Sequence, residues 1–237
     1  MNKFILLLVV LSFSISGAMA QKSDKKQGND DPYLLLEKME LNRIWKDRGG
    51  YFNMAYVNQS VENELSSNFN LKSDWGASLS WGRTFYLHKK PIGGMLKFGL
   101  DWTWLDINGA GYSGLQVYDD YDEMYVDLAA YQAEIGMQLG PSITVNPVHH
   151  LKIGAYFRVT PSYSAIYIPD YETVWGNYVT FYNVGATIAW KVLSVGLEYR
   201  HGGAKYMNLV DDEESDIVNL NENFITNSMR FYFGFRF

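Results

Sequence analysis

The ionisable residues of this chain fall into three groups, and their spacing decides what chemistry each can do. Lys97, Asp101, Glu134, Lys152, Arg158, Glu198, Arg200, Arg230 and Arg236 each stand where polar and apolar residues alternate. On a strand all nine would project from the polar face. Six bases and three acids taken out of water must pair or be held at heavy cost. They can therefore form a fixed network of ion pairs, or a positively biased path for small anions. The second group is two acidic runs, Asp119-Asp120-Tyr121-Asp122-Glu123 and Asp211-Asp212-Glu213-Glu214-Ser215-Asp216. Carboxylates at that density could hold a divalent cation and bridge to phosphate, but without an EF-hand's ligand order they read as solvated loops. The third group is the histidines. His88, His149 and His150 stand in turn-like stretches whose polarity accounts for them without a metal. His201 lies three residues after Glu198, which on a strand puts the two on opposite faces, and Gly202-Gly203-Ala204 supplies no serine beside it. No catalytic residue, metal site or cofactor is expected, since the sequence holds no phosphate-binding glycine loop, nucleophile elbow or zinc pattern.

What must position these groups is a series of alternating segments. The clearest is Asn227 to Phe237, NSMRFYFGFRF, in which Met229, Phe231, Phe233, Phe235 and Phe237 alternate with Ser228, Arg230, Tyr232, Gly234 and Arg236. Met95 to Leu105 sets Leu96, Phe98, Leu100, Trp102 and Trp104 against Lys97, Gly99, Asp101 and Thr103. The same period of two runs through Gly50 to Asn58, Lys72 to Phe85 (Trp75 and Trp81 on the apolar face), Val126 to Leu139, Leu151 to Pro161 (Phe157), Tyr178 to Trp190 (Trp190) and Leu193 to His201. Eight segments of roughly 10 to 13 residues suit a bilayer crossing at a tilt near 45°. The connections alternate between long ones (Gln59 to Leu71, Asp106 to Tyr125, Ser162 to Asn177, Gly202 to Asn223) and short ones (His88 to Gly94, Gly140 to His150, Lys191-Val192). Trp102, Trp104, Trp175 and Tyr178 are expected towards the long-loop ends, and Phe85, Trp190, Phe235 and Phe237 towards the short turns, as aromatic girdles at two lipid-water boundaries.

Composition agrees with short aromatic strands. The chain has 237 residues, 16% aromatic and 19% charged, with 21 glycines and no cysteine. Mean hydropathy is −0.18, and beyond the first twenty residues no apolar run approaches the roughly 20 that a membrane helix needs. Residues 1–20 read as a secretory signal, with Lys3, an apolar stretch from Phe4 to Ile15, and Ala18-Met19-Ala20 as the cleavage site. Without it the charge is −7, which makes nucleic acid an unfavourable partner. Residues 21–49 read as a polar periplasmic tail followed by a short helix, started by Asp31-Pro32 and stopped by Gly49-Gly50; residues 50–237 hold the alternating segments. That helix would lie under the periplasmic mouth or at the lipid surface, or plug the lumen.

The pattern from Gly50 to the terminal FGFRF resembles the small eight-stranded outer-membrane β-barrel family, the OmpA-type and OmpX-type barrels. The resemblance implies an all-β fold, an eight-stranded antiparallel up-and-down transmembrane β-barrel with a short N-terminal helix, located in the outer membrane. Its partners would be outer-membrane lipid and lipopolysaccharide, and the outer-membrane assembly machinery through the C-terminal strand. Trp75, Trp81, Phe98, Trp102, Trp104, Phe157, Trp190, Phe231, Phe233, Phe235 and Phe237 would face lipid, and the nine charged residues would fill the lumen. The expected role is structural or surface-interactive and not enzymatic. A narrow anion-preferring, porin-like channel is the main alternative and a lipid A-modifying enzyme the distant one.

Overall fold

The computed structural model describes residues 33, 36, 39, 44, 45, 48–63, 70–119, 124–209 and 223–237. The chain divides into two units, residues 1–43 and 44–237. In the first, Tyr33, Leu36 and Met39 have helical backbone. The expected signal sequence, the tail and most of the expected helix lie outside the described residues.

In the second unit the alternating segments become strands: β1 (Arg48–Asn63), β2 (Asn70–Tyr86), β3 (Leu96–Asp119), β4 (Met124–Val148), β5 (Leu151–Ile168), β6 (Thr173–Trp190), β7 (Leu193–Lys205), the short β8 (Met207–Asn208) and β9 (Asn223–Arg236). Neighbours in sequence pair antiparallel, β9 pairs with both β7 and β1, and the sheet closes into a ring of eight staves. β8 prolongs β7 beyond Tyr206 and pairs with the far end of β6. Stepping through partners from Tyr56 to Ala77, Gly109, Ala133, Ala165 and Gly176 arrives at Met207. Stepping the other way, through Phe231, arrives at Leu197. The ladder thus returns ten residues out of step, which for eight staves gives a tilt of about 43° and a bore that side chains fill.

The staves are longer than expected. β4 continues through Gly140 and Pro141 to Val148, so the expected turn from Gly140 shrinks to His149-His150, with His149 at φ 41°. Ser162 to Asn177, expected as a long loop, is strand on both sides of a turn at Pro169–Tyr171. Asp106, expected to open a loop, lies well inside β3. The glycines that the β2–β3 turn requires are Gly93 and Gly94, at φ 59° and 76°.

The reason for the extra length is an inversion of polarity along each stave. Towards the short-turn end the outward residues are apolar and exposed, such as Trp81, Phe98, Val184, Ile188 and Phe233. The inward ones there are polar and buried, such as Lys97, Asp101, Thr103, Asn183 and Arg230. Towards the long-loop end the inward residues become apolar. Val61, Leu71, Tyr112, Leu128, Ile166, Ile168, Trp175, Val179, Phe181, Tyr206 and Phe224 belong to one buried cluster drawn from every stave. The outward positions there include Lys72, Asp74, Asp127, Lys205 and Asn223. The lower tier is thus apolar outside and charged inside, and the upper tier is apolar inside with a mixed outer face that sets Lys72, Asp74, Asp127 and Lys205 beside Tyr167, Tyr178 and Met207.

Candidate functional site

The interior is the candidate site, and it is layered. At the short-turn end the Trp45 indole is buried, edge-on to Tyr86 at 5.6 Å between ring centroids. The ammonium groups of Lys97 and Lys152 lie 5.2 and 5.4 Å from the Trp45 ring centroid, and the Arg236 guanidinium 5.7 Å from that of Tyr51. Cations and aromatic faces attract most strongly where water is thin. Trp45 therefore stops this mouth. Trp45→Ala is expected to lower unfolding free energy by about 2 kcal/mol in urea titration of the folded barrel; a change within about 0.5 kcal/mol would mean the indole is not anchored there.

Above this lies the ion layer. Arg158 donates to Asp101 at 2.6 and 3.2 Å and to Gln138 at 2.9 Å, with its guanidinium carbon over Tyr156, 3.5 Å from the ring centroid. Asp101 also accepts from Thr84 (2.7 Å) and Ser142 (2.9 Å). Glu198 accepts from Tyr156 and Asn183, both at 2.9 Å, and from Arg230 at 3.2 Å. Arg230 also donates to both oxygens of Asp106, at 3.0 and 3.1 Å. Arg200 pairs with Glu134 at 2.5 Å and lies over Phe181, 3.4 Å from its centroid. Next comes a hydrogen-bonded layer in which Gln132 accepts from Gln59 (2.9 Å) and Tyr112 (2.7 Å) and donates to Ser164 (3.0 Å) and Tyr206 (2.9 Å). The apolar cluster closes the stack.

The structure places all nine charged candidates on the inner wall: seven are buried, while Lys152 and Arg236 are half-buried near the short-turn mouth. Sequence reasoning missed a tenth, Asp106. Trp104 and Leu105 both face out at a bulge, which resets the alternation and turns Asp106 inward. The expected positive bias therefore does not run through the bore. Three arginines meet four carboxylates in the ion layer, and the remaining cations, Lys97, Lys152 and Arg236, gather by Trp45 and Tyr51.

The eleven candidate lipid-facing aromatics all stand exposed on the outer wall. Trp175, expected in an outer girdle, does not: it is buried in the inner apolar cluster, because its register puts it on the same face as Val179 and Phe181. Trp102 and Trp104 sit midway along β3, which continues to Asp119, and so do not mark a stave end. The histidines are separate. His88 holds the β2–β3 turn, with Nδ1 2.6 Å from the Lys90 carbonyl and Nε2 accepting from the Phe98 amide at 3.1 Å. His150 lies edge-on to Trp190, and His201 bonds the outward Asn227 at 2.7 Å, on the face opposite Glu198. Asp120 to Glu123 and all of the second acidic run lie outside the described residues.

No protein-family model and no curated protein matches the chain. Among solved structures it is similar to Ail, the attachment invasion locus protein of Yersinia pestis (8% identity, TM-score 0.41, over 81% of this chain and 99% of that one). It is also similar to the outer membrane protease OmpT from Escherichia coli (7%, 0.45, 81% and 96%) and to Neisserial surface protein A (12%, 0.42, 79% and 95%). Such identities and TM-scores carry nothing about activity or partner. By its own pairings the chain is a closed up-and-down barrel of eight antiparallel staves, the architecture of the small outer-membrane barrels.

Proposed function

We propose that this protein is an integral outer-membrane barrel with a filled bore, and that its work is done by its outer surface and exposed loops. The observation that carries the reading is the inversion of polarity along the staves. An apolar outer wall around a charged interior is stable only where hydrocarbon, not water, lies outside. The tier above it, apolar within and carrying Lys72, Asp74, Asp127 and Lys205 without, suits water, and with the long loops it supports reading that end as the cell-surface side. The same inversion favours closure over passage. An anion moving along the bore would have to separate Arg158, Arg200 and Arg230 from their carboxylates and then cross a layer lined mostly by apolar side chains.

The test uses Val184, outward and midway along β6. Val184→Arg is expected to cost about 2–4 kcal/mol of folding stability in lipid vesicles, the penalty for a charge on a hydrocarbon face. The unmodified barrel is expected to give no ion current above baseline in planar bilayers. A tolerated Val184→Arg would remove the membrane assignment, and steady anion-selective steps would restore the conduit.

A further inference from the structure

One charged side chain breaks the polarity of the lower tier. Arg83 lies on β2 between the buried, inward Gly82 and Thr84, so it projects into the apolar outer wall. Among the described residues no other charged side chain does so in that tier. It stands about 10 Å from the level of Leu87, just past the short-turn end of β2, at about 2.4 Å of axial rise per residue for a stave tilted near 43°. Across the sheet it pairs with Gly50 on β1, which the Phe237 ring covers, and with Trp102 on β3. Its guanidinium carbon lies 5.9 Å from the Trp104 ring centroid, close to the outer limit of a cation–π contact. Arg83 forms no ion pair among the described residues, and its Nε is buried without an acceptor. A charge kept in hydrocarbon against its cost points to something that binds it.

We propose that Arg83 and the tryptophans around it form a contact between two copies of this chain in the membrane. The proposal rests on the membrane reading above. Three observations select a second copy. The Trp104 contact draws the guanidinium away from the nearer lipid headgroups, since Trp104 stands beyond Trp102 on the way to the long-loop end. A second copy offers no carboxylate, because no Asp or Glu faces outward in the lower tier among the described residues. What it offers is indole: Trp81 and Trp102 flank Arg83 and are exposed. Two copies inserted in the same orientation, related by a twofold axis along the membrane normal, bring Trp102 of one close to the depth of Arg83 of the other. The patch is then self-complementary, as an isologous contact requires. Hydrocarbon surroundings strengthen each cation–indole pair.

The experiment measures fluorescence energy transfer between full-length barrels folded in phosphatidylcholine vesicles over a range of protein-to-lipid ratios. The chain has no cysteine, so Lys89→Cys, in the exposed turn after β2, gives a single site for donor or acceptor dye. The labelled barrel is expected to transfer energy with the ratio dependence of a dimer. Arg83→Leu and Trp102→Leu are each expected to weaken association about three- to tenfold, and Val184→Leu, on the apolar wall of β6, less than twofold. Diluted until it no longer pairs, Arg83→Leu is expected to unfold at a higher urea concentration than the parent, because a charge has left the hydrocarbon. A lower urea midpoint would make Arg83 a structural residue and overturn the proposal. So would transfer that never rises with the protein-to-lipid ratio, association undiminished in Arg83→Leu, or an equal loss in Val184→Leu. Adding phosphatidylglycerol is expected to leave association unchanged. If it abolishes transfer and raises the urea midpoint of the parent but not of Arg83→Leu, the guanidinium binds a lipid phosphate and not a second copy. A barrel destabilised by Val184→Arg that never transfers energy keeps the membrane reading and loses the dimer, whereas a tolerated Val184→Arg refutes the membrane reading, whatever the transfer.

Discussion

Replacing Glu134 by alanine is expected to destabilise the folded barrel by about 3–5 kcal/mol, read from urea unfolding in detergent micelles or lipid vesicles. Glu134 is buried on β4 and is the carboxylate that neutralises Arg200. It also accepts hydrogen bonds from Asn108 at 3.1 Å and Gln132 at 3.1 Å. Its removal leaves a buried guanidinium whose remaining partners are Ser162 at 3.4 Å and the face of Phe181, with the carboxylates of Asp106 and Glu198 nearby but held by Arg230. Most of the cost is therefore that of the stranded cation, not of the lost attraction. The same logic sets the control: replacing both partners, Glu134→Leu with Arg200→Met, is expected to fall within about 1 kcal/mol of the parent, because neither member of this pair is left buried without the other. A single-variant cost below about 1 kcal/mol would show that the ion layer is hydrated like a surface salt bridge, and a wet ion layer would reopen the question of passage.

The inner and outer faces of the lower tier were legible because strand periodicity is strict. Leu96 to Trp104 alternates without a break, and the structure turns Lys97, Asp101 and Thr103 in and Phe98, Leu100 and Trp102 out. Two things hid the remainder. A bulge inserts one residue and exchanges the faces, so Asp106 was invisible to a rule that counts in twos, although the adjacent apolar pair Trp104-Leu105 was its trace. The upper tier was hidden for a deeper reason. The rule sought apolar residues outside, and above the expected lipid boundary the apolar residues turn inside. Ser162 to Asn177 therefore read as loop, though Ser164, Ile166 and Ile168 and then Trp175 keep the period of two on the inner wall. Trp175 failed with it: a tryptophan near a stave end suggests a lipid boundary only if its register faces lipid. Trp45 lay on the apolar stripe of the expected short helix, whose place at the mouth was one of the positions expected, but no periodicity distinguishes it from its apolar neighbours as the side chain that enters there.

Phe181→Ala is the matching test of that upper tier, and it is expected to cost about 3–5 kcal/mol, the usual range for emptying a ring-sized space in a packed core. Phe181 is buried on β6 where the two tiers meet. On one side it belongs to the apolar cluster, and on the other it carries the Arg200 guanidinium. Its loss therefore removes buried apolar surface and loosens the seat of the Arg200–Glu134 pair. The reading makes a second demand, on coupling. If the tiers share Phe181 as a joint, Phe181→Ala and Glu134→Ala combined should deviate from the sum of their separate costs, since both residues act on Arg200 and residues that share a partner rarely act independently. Tyr178→Ala, three residues away but on the outer wall, is expected to cost less than about 1 kcal/mol and to add independently. If instead the upper ends of the staves were loosely held and wet, Phe181→Ala would resemble Tyr178→Ala. The apolar cluster could then no longer be taken as the layer that closes the bore.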